Sequence, residues 1–229
     1  GSDQADSYVT EGLRKAGIPV MIGQSADNLG DAAVVVCSTA IRSDNPEVEE
    51  AARRRIPRVR RAEMLAELMR MQNTVAVAGT HGKTTTTSMT AHALKALGEN
   101  PTAIVGGELN DIGSNVILGN SDLFVAESDE SDRSLLYLKP LAAVVTNVEF
   151  DHPDFYTSLD EVFSIFEKFV QSVPPSGHLV ICADDPNCLR LAALSPCPVT
   201  TYGLLAGDLR AEIISPSSYT LFEGGEERG

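Results

Sequence analysis

Gly79-Thr80-His81-Gly82-Lys83-Thr84-Thr85 is the segment of this 229-residue chain whose residue types and spacing point most directly to chemistry. It follows the apolar run Thr74–Ala78, which predicts a strand, and it opens a helix predicted from about Lys83 to Leu97. Glycines at a strand–helix junction let backbone N–H groups converge on phosphate oxygens, and the helix N-terminus adds favourable partial charge. Lys83 is placed to reach β- and γ-phosphates, and Thr84 to set its hydroxyl on Mg²⁺. The general phosphate-loop pattern, GxxxxGK followed by Ser or Thr, needs a glycine five residues before Gly82, where Val77 stands. The first glycine here is Gly79, so a generic kinase or GTPase is disfavoured. The competing reading, a glycine-rich turn with no ligand, leaves Lys83-Thr84-Thr85 at the junction without a purpose.

Two further strand ends carry candidate groups. The run Leu123–Ala126 leads into Glu127, and an apolar strand ending in a carboxylate presents a metal ligand at the C-terminal edge of a parallel sheet. One carboxylate, a threonine hydroxyl and phosphate oxygens form a hard-oxygen set that suits Mg²⁺. Asp129, Glu130 and Asp132 follow; they read either as further site groups or as a solvated acidic loop. The strand Ala142–Thr146 leads into Asn147-Val148-Glu149-Phe150-Asp151-His152, which sets His152 just past a strand parallel to the one ending at Glu127. Imidazole is an unusual Mg²⁺ ligand, so residue chemistry alone does not assign His152 to a metal. His92 and His178 read as a helix-face and a strand-start histidine.

These groups meet only if their strands lie side by side, and the remaining pattern predicts such a scaffold. Apolar runs alternate with helical segments, the signature of an α/β fold with a mostly parallel sheet. Helices are predicted at Ala5–Ala16, Pro46–Arg55, Ala62–Met71 and Leu159–Val173. Strands are predicted at Pro19–Ile22, Ala32–Cys37, Thr102–Val105 and Gly177–Cys182, the second of these as a buried strand. Alternation at Ala211–Ile214 and Tyr219–Phe222 predicts antiparallel strands. The chain opens on a helix with no strand before it. A boundary is expected near Met71–Asn73, where a new strand begins and the charge balance shifts. Residues 1–72 carry ten Lys or Arg against eleven Asp or Glu, whereas residues 73–229 carry eight against twenty-one. That acidic second part, in a chain of formal charge −14, argues against a nucleic-acid partner, which needs a basic face. It also means that a polyphosphate needs local help from a lysine, a helix N-terminus and metal ions. No basic segment followed by an apolar one opens the chain and no apolar run is long enough for a membrane helix, which fits a cytoplasmic protein. Cys37, Cys182, Cys188 and Cys197 form no Cys-x-x-Cys pair. Cys37 and Cys182 end apolar runs and read as core thiols, so neither a disulfide nor a structural zinc is expected.

The run Gly79-Thr80-His81-Gly82-Lys83-Thr84-Thr85-Thr86 resembles the ATP loop of the Mur ligases. Asn147-x-Glu149-x-Asp151-His152 is similar to another segment of that family, with Phe150 at a variable position. Ser38-Thr39-Ala40-Ile41, Asp44-Asn45-Pro46-Glu47-Val48, Ile56-Pro57 and Arg61–Met69 are similar to its N-terminal domain. The resemblance covers nearly the whole chain and is most specific from Asn73 to Phe155. It implies a P-loop-type ATP-binding central domain at 73–229, preceded by a partial Rossmann-like, UDP-sugar-binding domain at 1–72. It also implies an uridine-binding loop before Gly1 and a closing domain after Gly229.

The resemblance implies ATP and Mg²⁺ as cofactors, with Gly79 to Thr85 around the nucleotide and Lys83, Glu127 and His152 as the catalytic set. Thr84 and Glu127 then hold metal, Glu127 bridges two ions and His152 contacts the second. Asn147 and Asp151 either orient His152 or contact nucleotide through water. Gly106-Gly107-Glu108 and Gly113-Ser114-Asn115 are similar to a loop near the sugar's muramoyl group, with Asn115 the expected contact. Ser38 and Thr39 are expected at the diphosphate, and Asp3 at uridine. The implied partners are UDP-N-acetylmuramate and L-alanine, joined through an amide bond in peptidoglycan precursor synthesis. Family members that attach a tripeptide to the same sugar nucleotide share the loop and form the alternative. Two other readings stay open: a nucleotide-binding fragment inactive by itself, and a nucleotide-dependent switch without ligation.

Overall fold

The computed structural model describes residues 1–38, 40–109, 114–131 and 133–229, with side chains for all of these except 107–109 and 114. The chain divides into two compact units, Gly1–Leu65 and Ala66–Gly229.

The first unit holds two small parallel pairs. Strand β1 (Ser2–Asp3) pairs with β2 (Met21–Ile22) on either side of helix α1 (Tyr8–Lys15). Strand β3 (Val35–Cys37) pairs with β4 (Arg58–Arg60) on either side of α2 (Pro46–Arg53). Both helices start where the chain supplies a cap. Ser7 and Thr10 form a reciprocal capping box at α1. Asn45 accepts from the Glu47 and Val48 amides at α2, with Pro46 in the first turn. Two expectations change here. A strand does precede α1, and two polar residues show no periodicity by which to find it. The run at 32–37 is a strand only from Val35, and Val34 and Val36 are 39% and 45% exposed, so one face of it stays open.

Helix α3 (Arg61–Met69) leads into the second unit, which is built on a ten-stranded sheet among the described residues. Its strands are β5 (Asn73–Ala78), β6 (Thr102–Leu109), β7 (Ser114–Ile117), β8 (Leu123–Glu127), β9 (Ala142–Val145), β10 (His178–Cys182), β11 (Val199–Gly203), β12 (Leu209–Ser215), β13 (Ser218–Glu223) and β14 (Glu226–Glu227). The order is β14-β13-β12-β11-β10-β9-β5-β8-β6-β7. The pairs from β6 through β12 are parallel, and antiparallel strands close both edges. The central strands read as continuous apolar runs because both faces are covered. Ala76, Val77, Ala78, Val125, Ala126, Ala143 and Val145 are all fully buried.

Helix α4 (Lys83–Ala96) follows β5 and packs on β6 and β8, with Ala91 against Ala103 and Val125. Helix α5 (Leu159–Gln171) buries Val162, Phe163, Ile165, Phe166, Phe169 and Val170, a stripe at helical spacing. Helix α6 (Pro186–Ala192) was not expected from the sequence, although Asp185-Pro186 is a cap followed by a first-turn proline. The four cysteines are unpaired; Cys188 and Cys197 are the buried ones, while Cys37 and Cys182 are half-buried. No described helix is long and apolar enough to cross a membrane.

Two acids shape the β11–β12 turn. Asp184 accepts from the amides of Leu204, Leu205 and Ala206 at 2.6, 3.0 and 3.2 Å. The Leu204 amide first, with the other two behind it, holds the Asp184 carboxyl below the usual carboxylate range. Asp208 is held low in the same way by the Thr201 amide and hydroxyl. A carboxyl depressed by folding contributes stability above its unfolded value of about 3.9 and loses it as pH falls through its folded value. Asp184→Asn is therefore expected to lower Tm at pH 7 and to lose that difference in strong acid. Thermal unfolding at pH 7 and near pH 3 reads this, and an equal Tm gap at both would contradict it.

Candidate nucleotide-binding site

The site grows from the centre of the large sheet. Strand β5 lies between β8 and β9, both parallel to it, and later strands extend the sheet on both sides, the switch of strand order at whose C-terminal ends α/β folds place a binding crevice. Register brings the ends level: Val77 pairs with Glu127 on β8, and Ala78 pairs with Val145 on β9. The segments after these three strands carry the loop with Lys83, the acids from Glu127 onward, and His152.

The loop 79–82 is tied to the end of β9. The Thr80 amide donates to the Asn147 carbonyl at 3.0 Å, and the Glu149 amide to Thr80 Oγ1 at 2.9 Å. Asn147 brackets His81, accepting from its amide at 2.8 Å and donating to its carbonyl at 3.0 Å. Thr146 Oγ1 donates to the same carbonyl at 2.6 Å. Gly79, with φ at +141°, lies against Thr146: a Cβ there would stand 1.9 Å from Thr146 Oγ1. Gly82 begins α4 in the left-handed region, and no side chain caps the helix. Its first amides are thus left to water or a ligand, and Thr84 and Thr85 are exposed on that turn.

Lys83 donates to Gly79 O at 2.8 Å, to Thr80 O at 3.2 Å and to the Glu130 carboxylate at 2.9 and 3.1 Å. Glu130 is 1% exposed. Burial pushes its carboxyl up, and the Lys83 ammonium pulls the other way. His152, with φ at +55°, sets Nε2 3.5 Å from Glu130 Oε1 and 3.9 Å from Asp151 Oδ2. Asp151 also accepts from the His152 amide at 2.7 Å. Tyr156 donates its hydroxyl to the Glu130 carbonyl.

A second group stands beside the first. Thr84 donates to Glu127 Oε1 at 3.1 Å, and the Gly106 amide donates to Glu127 Oε2 at 2.6 Å. A Cβ on Gly106 would lie 2.5 Å from Glu127 Oε1, so only glycine admits this approach. Thr84 and Glu127 are hard oxygen donors with an open side, a set that fits Mg²⁺ with waters and phosphate completing the shell.

The structure therefore brings Lys83 and His152 together through Glu130, and Thr84 together with Glu127. Among the described residues no hydrogen bond or ion pair joins Glu127 to His152. Among the described residues, those whose ligand atoms gather closely enough for one cation are Asp129, Glu130 and His152, within 4.8 Å of one another. Glu130 is no solvated loop acid, and Asn147 holds His81 rather than His152. The carboxylate of Glu130 hides in the sequence because acids in a run ordinarily face water. Asn147 is readable only once β5 and β9 are known to be neighbours. Gly106 and Gly107 fall within β6 rather than in a loop after it.

The expected sugar contacts are spread wider. Asn115 stands exposed on edge strand β7, while Gly113, Thr39 and Asp132 lie outside the described residues. In the first unit, a cleft of about 630 Å³ is lined by Asp3, Asn28, Ser38, Asn45 and Glu47 among others. Glu47 anchors one wall, accepting from Ser2 Oγ at 2.7 Å and Asn28 Nδ2 at 2.8 Å.

Residues 77–224 match the family model for the Mur ligase middle domain, and residues 1–73 match that for the Mur ligase family, catalytic domain. The chain belongs to the Mur ligase family. The UDP-N-acetylmuramate–L-alanine ligase of Rubrobacter xylanophilus is 64% identical over 229 residues, which are 100% of this chain and 51% of that protein. Its counterpart in Rhizorhabdus wittichii is 56% identical over 218 residues, covering 94% and 46%. The chain spans about half the length of the curated relatives it matches. Among solved structures, the UDP-N-acetylmuramate-alanine ligase of Thermotoga maritima matches with TM-score 0.82 and 32% identity over 100% of this chain and 53% of that one. The UDP-N-acetylmuramate:L-alanyl-gamma-D-glutamyl-meso-diaminopimelate ligase of Neisseria meningitides matches with TM-score 0.86 and 26% identity, covering 99% and 76%.

Proposed function

We propose that this chain supplies the ATP-binding and sugar-nucleotide-binding parts of a ligase that joins L-alanine to the lactyl carboxylate of UDP-N-acetylmuramate, a step of peptidoglycan precursor synthesis. The observation that carries the chemistry is the meeting of Lys83, Glu130 and His152 beside Thr84 and Glu127 at the ends of β5, β8 and β9. The choice of alanine rests on the 64% identity along the whole chain, against 26% to the tripeptide-adding ligase of similar fold.

Residues 73–229 are assigned to ATP and residues 1–72 to the UDP part of the sugar. The loop amides from Gly79 to Gly82 and the first turn of α4 take the phosphates, with Thr85 on the same turn. Lys83 reaches the β- and γ-phosphates. Thr84 and Glu127 would hold Mg²⁺, and His152 would face a second ion. Mg²⁺ supplies neutralising charge on the phosphate oxygens. Ser38 and Thr39 hold the diphosphate, and Asn115 the muramoyl end.

In the reaction, the lactyl carboxylate takes the γ-phosphoryl group of ATP, ADP leaves, and the carboxylate becomes an acyl phosphate. The alanine amine then attacks that carbonyl, phosphate leaves, and the nitrogen gives up a proton to solvent as the amide forms. Phosphoryl transfer asks a protein mainly to position groups and to neutralise charge, and the crevice residues are of that kind. Phosphate release by the full-length polypeptide containing this sequence, measured with ATP, UDP-N-acetylmuramate and L-alanine, tests the proposal. Release that needs all three substrates is expected. Release indifferent to the sugar nucleotide favours a switch ATPase, and preference for the tripeptide over alanine favours the other ligase.

A further inference from the structure

Glu130 is given no step of its own in the reaction above, yet its carboxylate is among the most enclosed polar groups of the second unit. The residue is 1% exposed, and the acids around it at Asp129 and Asp151 are open or half-open to solvent. Its contacts come from three different chain segments. Lys83 reaches it from the loop after β5, at 2.9 and 3.1 Å. His152 reaches it from the segment after β9, at 3.5 Å. Its own carbonyl is held by the Tyr156 hydroxyl and by the Arg133 amide, so the backbone that carries it is fixed on both sides. An acid is costly to bury unless it is paired, and both partners offered here are groups that the proposed reaction uses.

Lysine is a point charge on a flexible four-carbon stem, and it aims nowhere by itself. In this loop the ammonium has three anchors: Gly79 O, Thr80 O and Glu130. The two carbonyls belong to the loop itself and hold the ammonium close to it. Glu130 is the anionic anchor, and it ties the ammonium to the segment that follows β8. The same carboxylate meets the imidazole of His152.

We propose that Glu130 is a positioning residue that aims Lys83 and His152 at the γ-phosphate end of a bound metal–triphosphate. This rests on the ATP-dependent reading of the site. Glu130 touches neither substrate nor reacting atoms; it acts through the two groups it holds. A nucleoside diphosphate keeps the β-phosphate but lacks the γ-phosphate, one of the two that Lys83 reaches, so the loss of Glu130 weakens triphosphate binding more than diphosphate binding.

Glu130→Gln keeps the shape and one acceptor oxygen and removes the charge; Glu130→Asp keeps the charge and shortens the reach. Calorimetry with ADP and with a non-hydrolysable ATP analogue, each with Mg²⁺, reads the positioning directly. In Glu130→Gln the analogue is expected to lose roughly tenfold in affinity and ADP less than about threefold, the size of one charge-assisted contact. The turnover number of the intact ligase is expected to fall by on the order of 10²-fold with the KM for the sugar nucleotide little changed, and Glu130→Asp is expected to recover part of that loss. An unchanged ratio of analogue to ADP affinity in Glu130→Gln overturns the inference, whether or not the variant melts earlier. So does a Glu130→Asp variant no better than Glu130→Gln. A wild-type protein that binds neither nucleotide refutes the functional reading itself, and this inference with it.

Discussion

Lys83→Ala is expected to abolish measurable ligation, a loss of at least on the order of 10²–10³-fold in turnover. The lysine side chain is 12% exposed, and its ammonium is the positive charge that meets the loop after β5 and Glu130 together. A preorganised charge in an enclosed site does more for a developing phosphoryl transition state than the same charge in water. The substitution has a second consequence, because it strands a buried carboxylate. Removing one partner of a buried pair costs about 3–5 kcal/mol. The double variant Lys83→Ala/Glu130→Gln separates the two effects: it is expected to regain most of the lost thermal stability and none of the turnover. Near-normal turnover by Lys83→Ala would refute the loop assignment.

Gly79→Ala is expected to be the most damaging single-methyl change in the crevice. The backbone at Gly79 has φ at +141°, and an added Cβ would meet Thr146 Oγ1 at 1.9 Å and the Thr146 amide nitrogen at 3.1 Å. Relief requires Thr146 Oγ1 to rotate off the His81 carbonyl, which loses that bond, or the loop to pull away from the end of β9, which also breaks the Thr80–Asn147 contact. Backbone strain and overpacking of this kind together cost about 2–6 kcal/mol. At roughly 2–4 °C per kcal/mol for a domain of this size, Tm falls by several degrees or more. Nucleotide affinity is expected to fall with it, since the displaced amides are those proposed to take the phosphates. Thr146→Ala added to Gly79→Ala removes the nearest atom and is expected to recover part of the Tm. Melting curves and nucleotide titration check both; wild-type values for Gly79→Ala would mean that the loop does not pack on β9.

The β5–loop–α4 unit and the carboxylate at the end of β8 were legible in the sequence because they are local. A short apolar run, glycines and a lysine–threonine pair state a strand, a turn and a helix start within a dozen residues. The alternation at β12 and β13 was legible for the same reason, with the antiparallel pairing observed. What stayed hidden depends on which strands are neighbours. Glu130 reads as one acid among several until the fold closes Lys83, His152 and Tyr156 around it. Asn147 became a clamp on His81 only because β9 lies next to β5. β11, with its run Val-Thr-Thr-Tyr-Gly, escaped notice since all five residues are half-buried and no face stands out. β1 is two polar residues, too short for any periodicity to register, whereas β2 falls within the strand expected at Pro19–Ile22.

The ring nitrogen of His152 stands next to Glu130 rather than Glu127, so contact between His152 and a metal is open to a direct spectroscopic test. Pulsed electron paramagnetic resonance of Mn²⁺, bound together with a non-hydrolysable ATP analogue, asks whether an imidazole nitrogen reaches the metal at the triphosphate. A ¹⁴N coupling is expected in the wild-type protein and is expected to disappear in His152→Gln. A bound Mn²⁺–nucleotide complex with no nitrogen coupling, equally tight after Lys83→Ala and Glu127→Gln, would contradict the claim that three adjacent strand ends close on one phosphate-bound metal centre.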